Sequence, residues 1–283
     1  MLRLVDQLRM VPEVARLAVR TPRNAAVAWE GYWSRVRTTG PAGEVLWDAE
    51  IGPEAEQYAA VMDEFMDRSM PVIDVGWGNG RWSRWLSRRF PQVLGVDVSA
   101  SAVQRAGEES EGVRGVDYRT LDLTVPGAGR LLQAEFGDSH VFVRGVFHVL
   151  RPKQREQLGR NLRDVVGARG RVLLTETDYR GTPLSYMQSL GARPGSIPAP
   201  LRRAIGSIPA PLRRAIGSIP APLRRAIGSI PVPGHFGPAE RRAALQDSIS
   251  TVLADGPALI EAIPMSGTTT TSIPGYLAML GSR

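Results

Sequence analysis

The stretch Val72-Ile-Asp-Val-Gly-Trp-Gly-Asn-Gly80 constrains this chain more than any other part of it. A short hydrophobic run carrying one carboxylate enters a turn with glycine at every second position, and a helix-forming segment follows. Such glycines allow a tight turn and let a ligand approach the backbone closely. The same strand-then-helix rhythm continues downstream. Residues 71–75, 93–96, 116–121, 141–143 and 171–175 read as strands, and residues 81–90, 100–109 and 153–166 as helices. Strands alternating with helices imply an α/β fold, a Rossmann-like doubly wound parallel sheet covered on both faces. In such sheets ligands bind at the carboxyl ends of the strands, where the glycine turn lies.

Flanking segments extend this plan. A helix over residues 53–68 precedes the glycine turn. After it come a helix over 238–253 and two strands, 258–264 and 272–280. Their linker, 265–271, is too short for a helical crossover, so these strands pair antiparallel and place a hairpin at the edge of a mostly parallel sheet. Near the start, Leu4, Leu8, Val11, Ala15 and Ala18 recur at helical spacing, with Arg3, Arg9, Arg16 and Arg20 mostly off that face. An amphipathic helix of this kind packs on its own domain or on a second copy in a homodimer, or lies on a membrane surface. Residues 24–48 gather Trp29, Tyr32, Trp33 and Trp47. Four segments follow: a helical and aromatic cap over 1–50, a core over 51–180, an insertion over 181–236, and a helix with hairpin over 237–283 that completes the sheet.

The insertion holds a perfect tandem repeat. GSIPAPLRRAI occurs at 195–205, 206–216 and 217–227. Two prolines in each unit forbid a continuous helix. Packed repeat units diverge at their ends, where they act as caps, so identity at every position reads as recent duplication. The repeat also explains the charge. The net charge of +7 and pI of about 10.4 first suggest a polyanionic partner. Six arginines lie within the three units, and without them 29 basic residues face 28 acidic ones.

Cysteine is absent, which excludes disulfides, thiolate metal sites and a cysteine nucleophile. His140, His148 and His235 are far apart in sequence, so no metal centre is expected. No run is apolar enough for stable membrane insertion. The first ten residues lack the apolar core of a signal peptide, and the chain reads as cytoplasmic.

The glycine pattern is G-x-G-x-G, whereas dinucleotide sites use G-x-G-x-x-G. The sixth position here is Arg81. A carboxylate, Asp97, falls 21 residues after Gly76 at the end of the second strand, where it can accept hydrogen bonds from both hydroxyls of a ribose. A nucleoside-bearing ligand is implied, and the spacing disfavours a nicotinamide dinucleotide.

At these residues the chain resembles the class I S-adenosylmethionine-dependent methyltransferases. VIDVGWGNGRW resembles their first motif, with Trp77 in place of the usual small residue. LGVDVSASAVQRA resembles the second motif, RTLDLT the third and VFVRGVFHVL the fourth. The resemblance spans residues 45–180, and the trailing hairpin matches that family's seven-stranded sheet with its reversed last strand. It implies S-adenosyl-L-methionine as cofactor. By position, Asp74, Gly76, Trp77, Gly78 and Gly80 belong to the cofactor loop, with the glycines facing the methionine portion. Asp97 holds the ribose, Val98 lies against the adenine, Asp122 accepts from its amino group and Leu123 contacts the ring. Arg144 takes a position that often touches the methionyl part. His148, just past the fourth strand, is the candidate general base. Asp178 and Tyr179, after the fifth strand, and Trp33 and Trp47, upstream of the loop, are candidates for acceptor contact.

Structural readings stand beside these. Asp74 can simply orient the loop, Asp97 can cap a strand end, and His148 can be a buried, hydrogen-bonded histidine. Trp33 and Trp47 can be core. The expected activity is methyl transfer to a small-molecule acceptor. Nucleic acid is disfavoured, because the fourth strand runs into Arg144-Gly-Val-Phe rather than a base-holding Asn-Pro-Pro-Tyr, and no basic patch with interleaved aromatics appears in the core. The alternatives are a non-catalytic S-adenosylmethionine-binding protein and a nicotinamide-dependent oxidoreductase.

Overall fold

A computed structural model describes residues 24–179, 235–263 and 271–281. The N-terminal amphipathic helix, the repeat, and the 265–270 part of the hairpin linker lie outside the described residues. Two compact units can be told apart: residues 24–50 with 261–263 and 271, and residues 51–179, 235–260 and 272–281.

In the smaller unit, helix α1 (Ala25–Trp33) starts at Asn24, whose side chain accepts from the Val27 amide. Asn is among the best N-caps because its oxygen satisfies one free amide of the first turn. Trp29, Tyr32, Trp33 and Trp47 pack into one aromatic cluster, with Tyr32 and Trp47 stacked at 5.4 Å.

The larger unit is the α/β body. It comprises α2 (Pro53–Phe65), β1 (Val72–Val75), α3 (Arg81–Leu86), β2 (Val93–Asp97), α4 (Ala100–Glu109), β3 (Val116–Thr120), α5 (Ala128–Phe136), β4 (His140–Arg144), a single 3-10 turn over Phe147–Val149, α6 (Pro152–Val166), β5 (Arg171–Thr177) and α7 (Pro238–Leu245). Strands β6 (Thr251–Ala262) and β7 (Thr271–Gly281) complete a seven-stranded sheet of order β3-β2-β1-β4-β5-β7-β6. The first five strands run parallel, and β7 pairs antiparallel with β5.

Strand alternation divides the core between the two faces. Ile73, Val75, Leu94, Val96, Val141 and Val143 point to one side, against Leu132 of α5, Leu158 and Leu162 of α6, and Leu245 of α7. Val72, Val93, Phe142 and Leu173 point to the other, against Tyr58 and Met62 of α2 and Trp82 and Leu86 of α3. Central strands buried on both faces explain why their sequence reads as unbroken apolar runs. Pro257 sits within β6, which is tolerated because β6 is the edge strand.

Several expectations need correction. The helix expected over 81–90 stops at Leu86. The helix expected over 238–253 stops at Leu245, because the β-branched Thr251 and Val252 already belong to β6. Helix α5 has no counterpart among the expected elements, because Gly127 and Gly129 disguise it. Gly129 is there for packing, as a Cβ on it would lie 2.1 Å from the Asn161 carbonyl oxygen of α6. Strand β5 runs two residues past its expected end, which brings Glu176 into the sheet.

Candidate active site

The carboxyl ends of β1, β2, β3, β4 and β5 lie along one edge of the sheet, and each delivers residues there. The loop after β1 turns through Gly76, Gly78 and Gly80, at φ of 70°, 64° and 75°. These values lie in the left-handed region that residues with a Cβ avoid. Gly76 is further constrained, because a Cβ on it would come within 2.5 Å of Val146 Cγ2. Asp97 ends β2 and is almost fully buried. Its Oδ1 accepts from the Ser99 amide at 2.9 Å and its Oδ2 from the Gly78 amide at 3.3 Å. This carboxylate therefore braces the glycine loop from the neighbouring strand. Ser99 also starts α4, its hydroxyl accepting from the Ala102 amide.

Asp74 lies on the α3 face of β1, where its Oδ2 accepts from the Ser83 hydroxyl at 2.6 Å. Burial pushes its pKa up to about 7; the Ser83 hydrogen bond opposes this, and the charge of Asp97 adds to it. Ser83 belongs to α3, so this bond ties Asp74 to the helix that follows the loop. Asp122, two residues past β3, is half-buried, and its Oδ1 accepts from both the amide and the hydroxyl of Thr124 at 2.7 Å. Val98 is half-buried beside Asp97.

Three of the residues that the resemblance assigns to the cofactor have protein partners of their own. The Trp77 side chain is buried and tilted against Tyr118, with ring centroids 4.6 Å apart, and its indole nitrogen lies 2.8 Å from where a Gly95 Cβ would stand. It packs under the loop, on β2 and β3. Leu123 turns into the apolar core. Arg144 forms a bidentate ion pair with Glu54 of α2, Nε to Oε1 at 2.5 Å and Nη2 to Oε2 at 3.0 Å. Burial disfavours its cation, but the Glu54 carboxylate outweighs that, and its pKa is raised. The Tyr58 hydroxyl donates to Glu54 Oε1 at 2.5 Å, and the Arg144 guanidinium lies over the Trp82 ring.

His148 lies on the 3-10 turn, its side chain 7% exposed. Its Nδ1 is 2.6 Å from Glu176 Oε2, and its Nε2 has no hydrogen-bond partner among the described residues. Glu176, fully buried in β5, also accepts from the amides of Val146 at 2.8 Å, Phe147 at 2.7 Å and His148 at 3.3 Å. Arg155 of α6 closes the turn from the other side, donating to the carbonyls of Phe147 and Leu150. Glu176 escaped the sequence reading. Its signal was a carboxylate two residues after the apolar run Val172–Leu174, within a strand where a charge is costly unless paired.

Asp178, just past β5, is 2.8 Å from His235 Nδ1, and Glu240 Oε2 is 3.1 Å from the Nε2 of the same ring. Asp178 also lines an open cleft with Asp255, Gly275 and Tyr276. Tyr179 is half-buried beside it. Trp33 and Trp47 belong to the smaller unit, where the aromatic cluster accounts for them. The described residues contain no group of three or more His, Asp or Glu arranged to hold a metal, and no described helix is long and apolar enough to cross a membrane.

A glycine loop on β1 with a carboxylate ending β2, in a 3-2-1-4-5-7-6 sheet with one reversed strand, defines a nucleoside-binding Rossmann-like fold of the methyltransferase type. The comparisons agree. Residues 72–170 match the family model described as a methyltransferase domain. A crystal structure of an S-adenosylmethionine-dependent methyltransferase from Anabaena variabilis is 27% identical, covers 92% of this chain and 96% of its own, and superposes with a TM-score of 0.68. Two more distant structures share the fold. One is described by the conversion of a disulfide bond into a thioacetal group during echinomycin biosynthesis, at 15% identity, 92% coverage of both chains and a TM-score of 0.63. The other is a methyltransferase from Methanosarcina mazei, at 16% identity, covering 82% of this chain and 98% of its own, with a TM-score of 0.52. No curated protein sequence matches the chain. Residues 72–170 thus carry a methyltransferase domain, and the chain is similar over most of its length to a solved S-adenosylmethionine-dependent methyltransferase.

Proposed function

We propose that this protein transfers a methyl group from S-adenosyl-L-methionine to a small-molecule acceptor, with His148 taking up the acceptor's proton. The observation that carries this reading is the convergence, on one sheet edge, of the braced glycine loop with a buried imidazole whose Nε2 has no hydrogen-bond partner among the described residues. The residues present suit the cofactor. The loop's left-handed glycines leave room for close approach to the backbone, and Asp97 stands where a ribose would be held. Val98 and Asp122 are the adenine contacts in this reading. Arg144, Trp77 and Leu123 support the site from behind.

S-adenosylmethionine supplies an activated methyl on a sulfonium, so the protein's work is to align the acceptor and exclude water. Asp178, on the open cleft past β5, is our candidate for acceptor contact, with Tyr179 next to it. The test is calorimetry and a thermal melt with S-adenosylhomocysteine. Ligand at a hundredfold excess over its dissociation constant stabilises the folded state by about 2.7 kcal/mol. Binding of a nicotinamide dinucleotide with no response to S-adenosylhomocysteine overturns the reading.

A further inference from the structure

We infer that Glu176 is a positioning residue that fixes neutral His148 in one tautomer, with the proton on Nδ1 and the lone pair left on Nε2 as a proton acceptor. The inference rests on the methyl-transfer reading for its chemistry, but its geometry stands alone.

A carboxylate with zero exposure on a central strand is costly unless its oxygens are satisfied. Glu176 meets that demand with four donors from one turn. Two amides, Val146 and Phe147, occupy Oε1. The His148 amide and Nδ1 occupy Oε2. The carboxylate can only accept, so the Nδ1 contact at 2.6 Å requires a proton on that nitrogen. In a neutral ring the lone pair then belongs to Nε2. The turn and the ring are held by the same side chain, so backbone position and tautomer are set together.

A base so arranged serves a nucleophile that must lose a proton as it attacks, and a hydroxyl is the class that fits. The hydroxyl oxygen forms the new bond to the methyl carbon while the carbon–sulfur pair remains on sulfur as a neutral thioether. The hydroxyl proton passes to Nε2, and the resulting imidazolium is stabilised by Glu176 through Nδ1–H.

Glu176→Gln separates positioning from mere support. Its amide oxygen can keep the Val146 and Phe147 bonds, while its NH2 group now faces Nδ1 and gives up the 3.3 Å bond from the His148 amide. The ring can then bond it only by accepting, which moves the proton to Nε2 and removes the base. Glu176→Asp keeps the charge and is the second variant.

The experiment is nitrogen-15 NMR of histidine-labelled protein at pH 7 to 9, with S-adenosylhomocysteine titrations alongside. Resonances are assigned through His148→Gln. The wild type should show a neutral His148 protonated at Nδ1. Glu176→Gln should show Nε2 protonation, with cofactor affinity within about twofold of wild type, and Glu176→Asp should restore the native tautomer. An Nε2-protonated or doubly protonated ring in the wild type overturns the inference, whether or not either variant folds. So does an unchanged tautomer in Glu176→Gln. Absence of S-adenosylhomocysteine binding to the wild type, with the tautomer as stated, counts against the methyl-transfer reading alone.

Discussion

The guanidinium of Arg144 and the carboxylate of Glu54 meet in a bidentate pair, with side-chain exposures of 8% and 1%. They tie the first turn of α2 to the carboxyl end of β4, 90 residues apart in sequence. This pair engages Nε and Nη2 of the guanidinium for which the resemblance implied a contact with the cofactor.

Truncating one member leaves a buried charge without its partner. Glu54→Ala should destabilise the protein by about 3–5 kcal/mol, the range for breaking buried pairs. Replacing both residues by apolar groups of similar volume, Glu54→Leu with Arg144→Met, should recover most of that. Urea denaturation midpoints decide it, and a double variant no better than the single one refutes the argument.

Asp74 should give a distinctive pH dependence. Its folded-state pKa of about 7 stands above its usual 3.8, so the native state holds this proton more tightly than the unfolded chain. Stability from this group is fully present below about pH 4 and is lost as pH rises towards and through 7. Asp74→Asn mimics the neutral form. Its melting temperature should equal that of wild type near pH 3, exceed it increasingly from about pH 4 to 7, and level off above that. The gap is bounded on the order of 4 kcal/mol, at about 1.4 kcal/mol per pH unit. Parallel curves across this range would show that folding does not raise the Asp74 pKa.

Asp97→Ala should weaken S-adenosylhomocysteine binding by about 10- to 100-fold, corresponding to about 1.5–3 kcal/mol for hydrogen bonds to a charged group. It also removes the acceptor of the Gly78 and Ser99 amides, so a lower melting temperature should accompany the loss. Asp97→Glu, which keeps the carboxylate, should lose less. Calorimetry showing native affinity in the alanine variant would reduce Asp97 to a brace for the loop.

Gly76→Ala should cost stability for two separable reasons. A left-handed φ with a Cβ costs about 1–3 kcal/mol, and the new methyl would strike Val146 Cγ2. Adding Val146→Ala should relieve the collision but leave the backbone strain. Thermal melts of the single and double variants measure both parts, and a double variant as stable as wild type would show that the φ of 70° carries no strain.

The order of strands and helices from β1 to β5 was legible because each element is written locally. Apolar runs bounded by turns mark strands buried on both faces, and the loop glycines mark backbone that other residues cannot adopt. Legibility failed where a local signal was masked, as at α5, whose glycine serves a neighbouring helix. It also failed where two structures compete for one segment, as where β6 takes residues from the expected helix.

The sequence by itself thus determined the α/β class, the place of the glycine loop and the carboxylate at the end of β2, because these depend on residues within one or two turns of each other. Only the tertiary structure decided which charges meet. Glu176 reaches His148 across 28 positions because β5 lies beside β4, and Arg144 turns to Glu54 because α2 packs on that face of the sheet. A buried charge takes the partner that the packing brings within hydrogen-bond reach, and no spacing along the chain records that choice.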